Sequence, residues 1–248
     1  MLVSAISGLA TGSLLGLLGG GGSIIAVPVL VYLLGFETKA AIGTSLVIVG
    51  LASMLGAWSH YRNRAVIVST ALIFGATGGL GSFAGANLAQ FIPDAVQLAL
   101  FAIVMALVAF LMLKQPQPSN NSADNVAKIA LSIVLISGFG AGVLTGLIGV
   151  GGGFIIVPAL TILLRMPIRK AIGTSLLVIG INSMVGAISY APRLNLNCSV
   201  LPFAVGTLAA APIAGRFAHN VPQEKLKFSF AISLLILSAW MLFEQLFR

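Results

Sequence analysis

Apolar segments follow one another along the whole chain, near residues 3–18, 23–34, 40–59, 66–91, 95–113, 127–148, 153–164, 171–190, 198–218 and 226–247. Very few charges stand between them. Asp, Glu, Lys and Arg make up 7% of the 248 residues, against roughly 25% in an average soluble domain. So few charges cannot cover a surface facing water, and lipid must be the solvent for most of the chain. The mean hydropathy of +1.10 agrees. The segments predict an all-α polytopic membrane protein rather than one or two soluble domains.

A net charge of +8 would raise nucleic acid as a partner in a soluble protein. Here the cations sit between apolar segments and are not interleaved with aromatics, which reads as a topology signal. Cys198 is the one cysteine, so no internal disulfide can form and cysteine does not report the redox compartment. The opening MLVSAISGLATG has no basic n-region and runs into a repeated motif, so no cleaved signal peptide is expected.

The chain repeats itself at a shift of 130 residues. SGLATGSLLGLLGGGGSIIAVPVL lies over SGFGAGVLTGLIGVGGGFIIVPAL, KAAIGTSL over RKAIGTSL, and SMLGAWSH over SMVGAISY. About half of residues 7–60 are identical at the shifted position, which marks duplication rather than shared apolar composition. The polar stretch QPQPSNNSADN at 115–125 reads as an exposed connection. The expected organisation is an N-terminal repeat at 1–114, a linker at 115–126 and a C-terminal repeat at 127–248.

Charge orients the repeats. If residues 3–34 crossed the membrane once, the two sides would hold six and seven cations, without the bias that membrane proteins normally show. If each glycine-broken pair instead enters and returns to the same side, the halves are inverted. Arg62, Arg64, Lys114, Lys128, Arg165, Arg169, Lys170, Arg216, Lys225 and Lys227 then share one side, and Lys39, Arg193 and Arg248 the other. The richer side is expected to be cytoplasmic, with both termini outside the cytoplasm, in a bacterial plasma or inner membrane. Length agrees, since the first two segments reach about 24 and 18 Å as helices, short of a hydrocarbon core of about 30 Å. The expected fold is two inverted-topology repeats, each a Gly-broken helical hairpin followed by three transmembrane helices.

Repeats of that kind hold substrate near the midplane, at their interface. The breaks here are Gly19-Gly20-Gly21-Gly22, followed by Ser23, and Gly149-Val150-Gly151-Gly152-Gly153. Glycines leave N–H groups unshielded and let an anion come close. Each run leads into a short helix, starting at Ser23 and Gly153 or at Pro28 and Pro158, whose N-terminus favours negative charge. Two such ends facing each other would hold an anion without a buried Lys or Arg. The competing role of glycine is to pack membrane helices. The four-residue spacing of Gly8, Gly12 and Gly16, and of Gly138, Gly142 and Gly146, is assigned to packing, and the Gly-rich breaks to function.

A second repeated block places Thr44 and Ser45, and likewise Thr174 and Ser175, near the start of the next helix. Ser175, Asn182 and Ser189 share a helix face, matched by Ser45, Ala52 and Ser59, with Ser53 and Ser183 beside it. For any single hydroxyl, bonding between helices is the competing role. Asn182 is singled out as a substrate contact because an amide needs several partners.

No acidic residue lies well inside an apolar segment, which argues against an Asp/Glu proton relay. His60, beside Arg62 and Arg64, reads as an interfacial histidine, and Trp58 and Trp240 as parts of interfacial belts. An anion leaving an inside-negative cell gains about 2.3 kcal/mol per charge per 100 mV, so export needs no coupling ion. The sequence has no HExxH, no Cys/His cluster, no P-loop and no Ser paired with a credible base. No enzyme, metal site or cofactor is expected.

At GLLGGGGSIIAVPVL…AAIGTSL and GLIGVGGGFIIVPAL…KAIGTSL the sequence resembles the sulfite exporter TauE/SafE family, over essentially the whole chain. The resemblance implies a small membrane carrier for sulfur-containing anions such as sulfite, sulfoacetate or other sulfonates. It places Gly19 to Ser23, Gly149 to Gly153, Thr44, Ser45, Thr174 and Ser175 in the family blocks. Ser23 is matched by Gly153 and Ala52 by Asn182, so the two sides of a site would differ chemically. The expected function is alternating-access transport of such an anion, with export favoured. An anion or small-solute pore and a non-transporting membrane scaffold are the alternatives. The expected partners are the anion, the lipid bilayer and a second copy of the chain in a homodimer, with no nucleic acid.

Overall fold

The computed structural model describes residues 2–89, 91–92, 94–114, 131–148, 153–190, 200–218 and 220–246. The linker expected at 115–126 and the expected site residues Gly149, Gly151 and Gly152 lie outside the described residues. Among the described residues all regular structure is helical. In the N-terminal half, α1 (Leu2–Leu18) is followed by α2 (Gly21–Pro28), which runs into a π-helical turn at Val29–Leu33. Then come α3 (Thr38–Arg62), α4 (Val68–Ala89) and α5 (Asp94–Lys114). The C-terminal half keeps the order: α6 (Leu131–Ile148), α7 (Gly153–Pro158) with a π-helical turn at Ala159–Leu163, α8 (Ile168–Tyr190), α9 (Leu201–Ala218) and α10 (Gln223–Leu246).

Four stretches among the described residues are long and apolar enough to cross a membrane: Ala40–Arg62, Val68–Gly85, Ile168–Val185 and Leu201–Ala218. The outside of the bundle is apolar, with Leu80, Phe83 and Ile136 each more than two-thirds exposed, whereas Thr44, Ser53, Thr174 and Ser175 are buried. A protein dissolved in water places these residue types the other way round. The exposed apolar side chains fit lipid, as the composition requires.

Local chemistry shapes each hairpin. Gly19 has φ +69°, a left-handed conformation that costs any residue with a Cβ about 1–2 kcal/mol. Its N–H closes the last turn of α1 on the Leu15 carbonyl at 2.8 Å. Pro28 and Pro158 do not open the short helices, one of the two starts the sequence allows. They stand at the last α-helical position, after starts at Gly21 and Gly153. Beyond each proline, which has no N–H to give, the turn widens. Leu34 N–H bonds the Val29 carbonyl and Leu164 N–H the Ala159 carbonyl, five residues back.

Glycines at four-residue spacing pack backbone against backbone, as the sequence predicts. A methyl group at Gly8, Gly12 or Gly16 would overlap Phe203, Thr207 or Ala211 of α9, and one at Gly142 would overlap the Gly78 carbonyl of α4. The order of these contacts shows that α1 runs parallel to α9. Gly138 and Gly142 meet Phe74 and Gly78 in turn, so α6 runs parallel to α4. Helices α3 and α8 run antiparallel, with Gly50 against Ser183 and Met184 and Gly56 against Leu176. Helix α5 lies on α10. Each of these pairs joins one half to the other.

The pairings also gather distant loops. A methyl at Gly173 would overlap the Ala65 carbonyl, one at Gly215 would come within 3.3 Å of His60, and Arg169 Nη2 donates to the Val221 carbonyl at 3.0 Å. The segments carrying Arg62 and Arg64, Arg165 to Lys170, Arg216, and Lys225 and Lys227 therefore lie at one end of the bundle.

Candidate functional site

The two glycine breaks meet. A methyl on Gly153 would overlap Ser23 Oγ and come within 3.0 Å of both Gly20 Cα and Ile179 Cδ1. One on Gly19 would come within 2.7 Å of Ser175 Oγ and 3.3 Å of Val157. Each hairpin thus touches the other, and both touch α8. Counted from the start of α8, Ser175 and Ile179 lie about 10 and 16 Å along at 1.5 Å per residue, in a helix of 23 residues. The breaks therefore meet near mid-height of the bundle.

Gly20 gives α2 no side-chain cap, and the first N–H groups of a helix have no intrahelical acceptor. Gly21, which opens α2, belongs to this uncapped turn. Ser23 is turned inward along its own helix, donating to the Gly20 carbonyl at 2.7 Å. Gly22 serves the hairpin itself, because a methyl there would overlap the Leu15 backbone.

Most of the expected hydroxyls are already engaged. Ser45 donates to the Ile42 carbonyl and Ser175 to the Ile172 carbonyl, each at 2.8 Å. Thr44 is buried and partnered. Thr174 Oγ1 accepts the Ile67 N–H at 3.1 Å, which ties the start of α4 to α8 across 107 residues of sequence. Thr174→Val keeps the shape and leaves that N–H without its acceptor. Thermal unfolding in detergent should show a loss of about 1–3 kcal/mol, and an unchanged midpoint would remove the capping role.

Asn182 lies against the glycine face of α4, two turns along α8 from Ser175. Its Nδ2 is 3.5 Å from a methyl placed on Gly78 and its Oδ1 3.8 Å from one placed on Gly75. The amide is half-buried.

His60 is buried in the protein rather than turned outward. It is 2% exposed, and its Nε2 lies 3.1 Å from the Gly16 carbonyl. Gly16 is among the last carbonyls of α1, which the break at Gly19 deprives of helical donors; an Nε2–H on α3 supplies one. Sequence reasoning missed this because the partners are 44 residues apart. Trp58 stacks on Tyr61, and Trp240 meets Tyr32 edge to face, with all four rings exposed. Three further hydroxyls, Ser53, Ser59 and Ser183, are buried without a hydrogen-bond partner. Their signals in the sequence are the identity of Ser53 with Ser183 at the shift of 130, beside the Ser45 and Ser175 stripes, and the place of Ser59 in the Ser45 stripe. Among the described residues no group of His, Cys, Asp and Glu could hold a metal ion.

A lipid-facing helical bundle in which two broken helices meet at mid-height has the architecture of a multi-pass membrane transporter. The Sulfite exporter TauE/SafE family matches residues 4–241, and the chain belongs to that family. It is 33% identical over 245 residues to a probable membrane transporter protein of Xylella fastidiosa strain Temecula1, covering 96% of this chain and 92% of the relative. It is 31% identical over 240 residues to the probable membrane transporter protein YdhB of Bacillus subtilis, covering 94% and 96%. A probable membrane transporter protein of Haemophilus influenzae is 25% identical over 261 residues, covering 96% of each chain.

Proposed function

We propose that this membrane transporter carries a small sulfur-containing anion, of the sulfite, sulfonate or sulfoacetate type, by alternating access, with export favoured. The observation that carries the reading is the contact of Gly153 with Gly20 and Ser23, and of Gly19 with Ser175, near mid-height. Bare amides of Gly20 to Gly22, at the uncapped start of α2, hold the negative oxygens, while Gly19, whose own N–H is bonded to the Leu15 carbonyl, sets the turn. Gly149, Gly151 and Gly152 are assigned to the other side of the site from their sequence pattern. Ser175 stands behind the Gly19 break, with Ser45 its counterpart in the repeat, and Asn182 lines the way between α8 and α4. The family description, which names sulfite, supports the substrate class.

The halves are inverted-topology repeats in this reading. Supporting it, α3 and α8 are equivalent in the repeat and run antiparallel, while α1 and α9 run parallel. In this reading both termini lie outside the cytoplasm, on the side opposite the cation-rich loops. The halves rock against each other about the meeting point of the breaks, exposing it to each side in turn.

Flux of radiolabelled sulfite into proteoliposomes tests the proposal. A saturable rate, accelerated by unlabelled sulfite on the opposite side, is the expected result. Flux that neither saturates nor responds to the opposite side would make the protein a pore. Absence of both flux and thermal stabilisation by any sulfur oxyanion or sulfonate would remove the anion from the account.

A further inference from the structure

The serines that the sequence points to have little to offer a ligand, since Ser23, Ser45 and Ser175 each spend their proton on a carbonyl of their own helix or its cap. Such bonds are the ordinary recourse of a serine in a membrane helix. Ser53 and Ser183 do not take it. They are 0% and 1% exposed, and neither Oγ has a partner. A buried hydroxyl left unpaired is costly, and here the same omission occurs at equivalent positions of both halves.

Their position gives the omission a use. Ser175, Ile179 and Ser183 occupy successive turns of one face of α8. Gly19 touches Ser175 and Gly153 touches Ile179, so Ser183 is one turn past the meeting point of the breaks. Ser183 also lies against α3, its Cβ 3.2 Å from a methyl placed on Gly50. It therefore sits between the face of α8 that packs on α3 and the face that packs on the hairpins. Helices α3 and α8 are antiparallel, with Gly56 at Leu176 and Gly180 at Met54 and Gly50. That register sets Ser53 level with Ile179, the height at which the hairpins meet.

We propose that Ser53 and Ser183 form a paired hydroxyl subsite that donates hydrogen bonds to the oxygens of the transported oxyanion, one from each half of the protein. The proposal rests on the carrier reading above and adds to it two donors that are free to turn toward a ligand. An anion is the occupant because each hydroxyl has a proton to give in a place where no other acceptor takes it. The hairpin amides and these two hydroxyls grip the oxygens from different directions, so both halves close on the same ion.

The test compares purified wild type with Ser53→Ala, Ser183→Ala and the double variant, using sulfite and methanesulfonate as probes. Without anion, the unfolding midpoint of the variants should stay the same or rise, because an unpaired buried hydroxyl is gone. The concentration of sulfite giving half-maximal stabilisation, and the KM for sulfite flux, should rise about tenfold per hydroxyl, as for a hydrogen bond to a charged group. Ser59→Ala is the control. Ser59 is equally unpartnered but lies toward Gly215 of α9, and its loss should leave the KM unchanged. Single variants with unchanged sulfite affinity would overturn the subsite, as would a lowered midpoint without anion at unchanged affinity, which marks a packing role. A variant that alters sodium dependence while sulfite affinity holds would overturn it too, making the pair a cation site. A wild type indifferent to both anions defeats the carrier reading and the subsite with it. A responsive wild type beside an equally responsive double variant defeats the subsite alone.

Discussion

Gly19→Ala should leave a folded membrane protein that transports at least about tenfold more slowly. The residue holds φ +69°, and forcing a side chain into that conformation costs about 1–2 kcal/mol. The added methyl would stand 2.7 Å from Ser175 Oγ and 3.3 Å from the Ile172 carbonyl. Ser175 would have to turn away, breaking its 2.8 Å bond to that carbonyl, or the tip of the hairpin would have to withdraw from α8. Either shift moves the amides of Gly20 to Gly22 relative to Gly153, and in the proposed carrier the placement of those donors governs the hold on the anion. The unfolding midpoint should fall by only about 2–8 °C, the equivalent of the strain. Size-exclusion chromatography, thermal unfolding and sulfite flux on the same preparation separate the two effects. Wild-type flux from the variant would show that the breaks do not handle substrate.

Gly142→Leu should prevent assembly. A Cβ at Gly142 would overlap the Gly78 carbonyl, a backbone atom that cannot rotate aside. The parallel pair α6 and α4 would have to separate along its whole length, undoing the close approach at Gly81 and Gly85 as well, where methyls would overlap Phe139 and Val143. Membrane helices gain little from apolar burial against lipid and depend on such packing, so the expected cost exceeds ~3 kcal/mol, the upper range for an overfilled core. Gly140, two residues away on the same helix, meets nothing within 4 Å. Gly140→Leu should therefore stay within about 0.5 kcal/mol of wild type. The pair is read by the yield of monodisperse protein and its unfolding midpoint. Equal behaviour of the two variants would refute the packing assignment.

Much of this was legible in the residues. The apolar segments match the helices to within a few positions, because hydropathy and the scarcity of charge act locally on each stretch. The duplication shows in identical letters, and the packing glycines in their four-residue spacing, which is one helix turn. The break at Gly19 was legible as a run of glycines. Other features were not. The sequence left open whether the short helices begin at Ser23 and Gly153 or at Pro28 and Pro158. The answer depends on the wide turn after each proline, whose bonds run five residues back. His60 looked interfacial because its neighbours in sequence are Arg62 and Arg64, yet its partner in space is the end of α1. Thr174 resembled a ligand and is held by the Ile67 N–H.

What the sequence by itself determined is the solvent, the helical class, the duplication and the places where helices must stop, since composition, local pattern and repeated letters need no knowledge of which segments touch. Tertiary structure alone decided that the two glycine breaks touch, that α3 and α8 cross antiparallel, and which hydroxyls are spent and which left unpaired. The meeting of the breaks and the crossing of α3 and α8 depend on contacts between residues more than a hundred positions apart, such as Gly19 with Ser175 and Gly20 with Gly153, and no local pattern of side chains encodes how near two distant backbones will come.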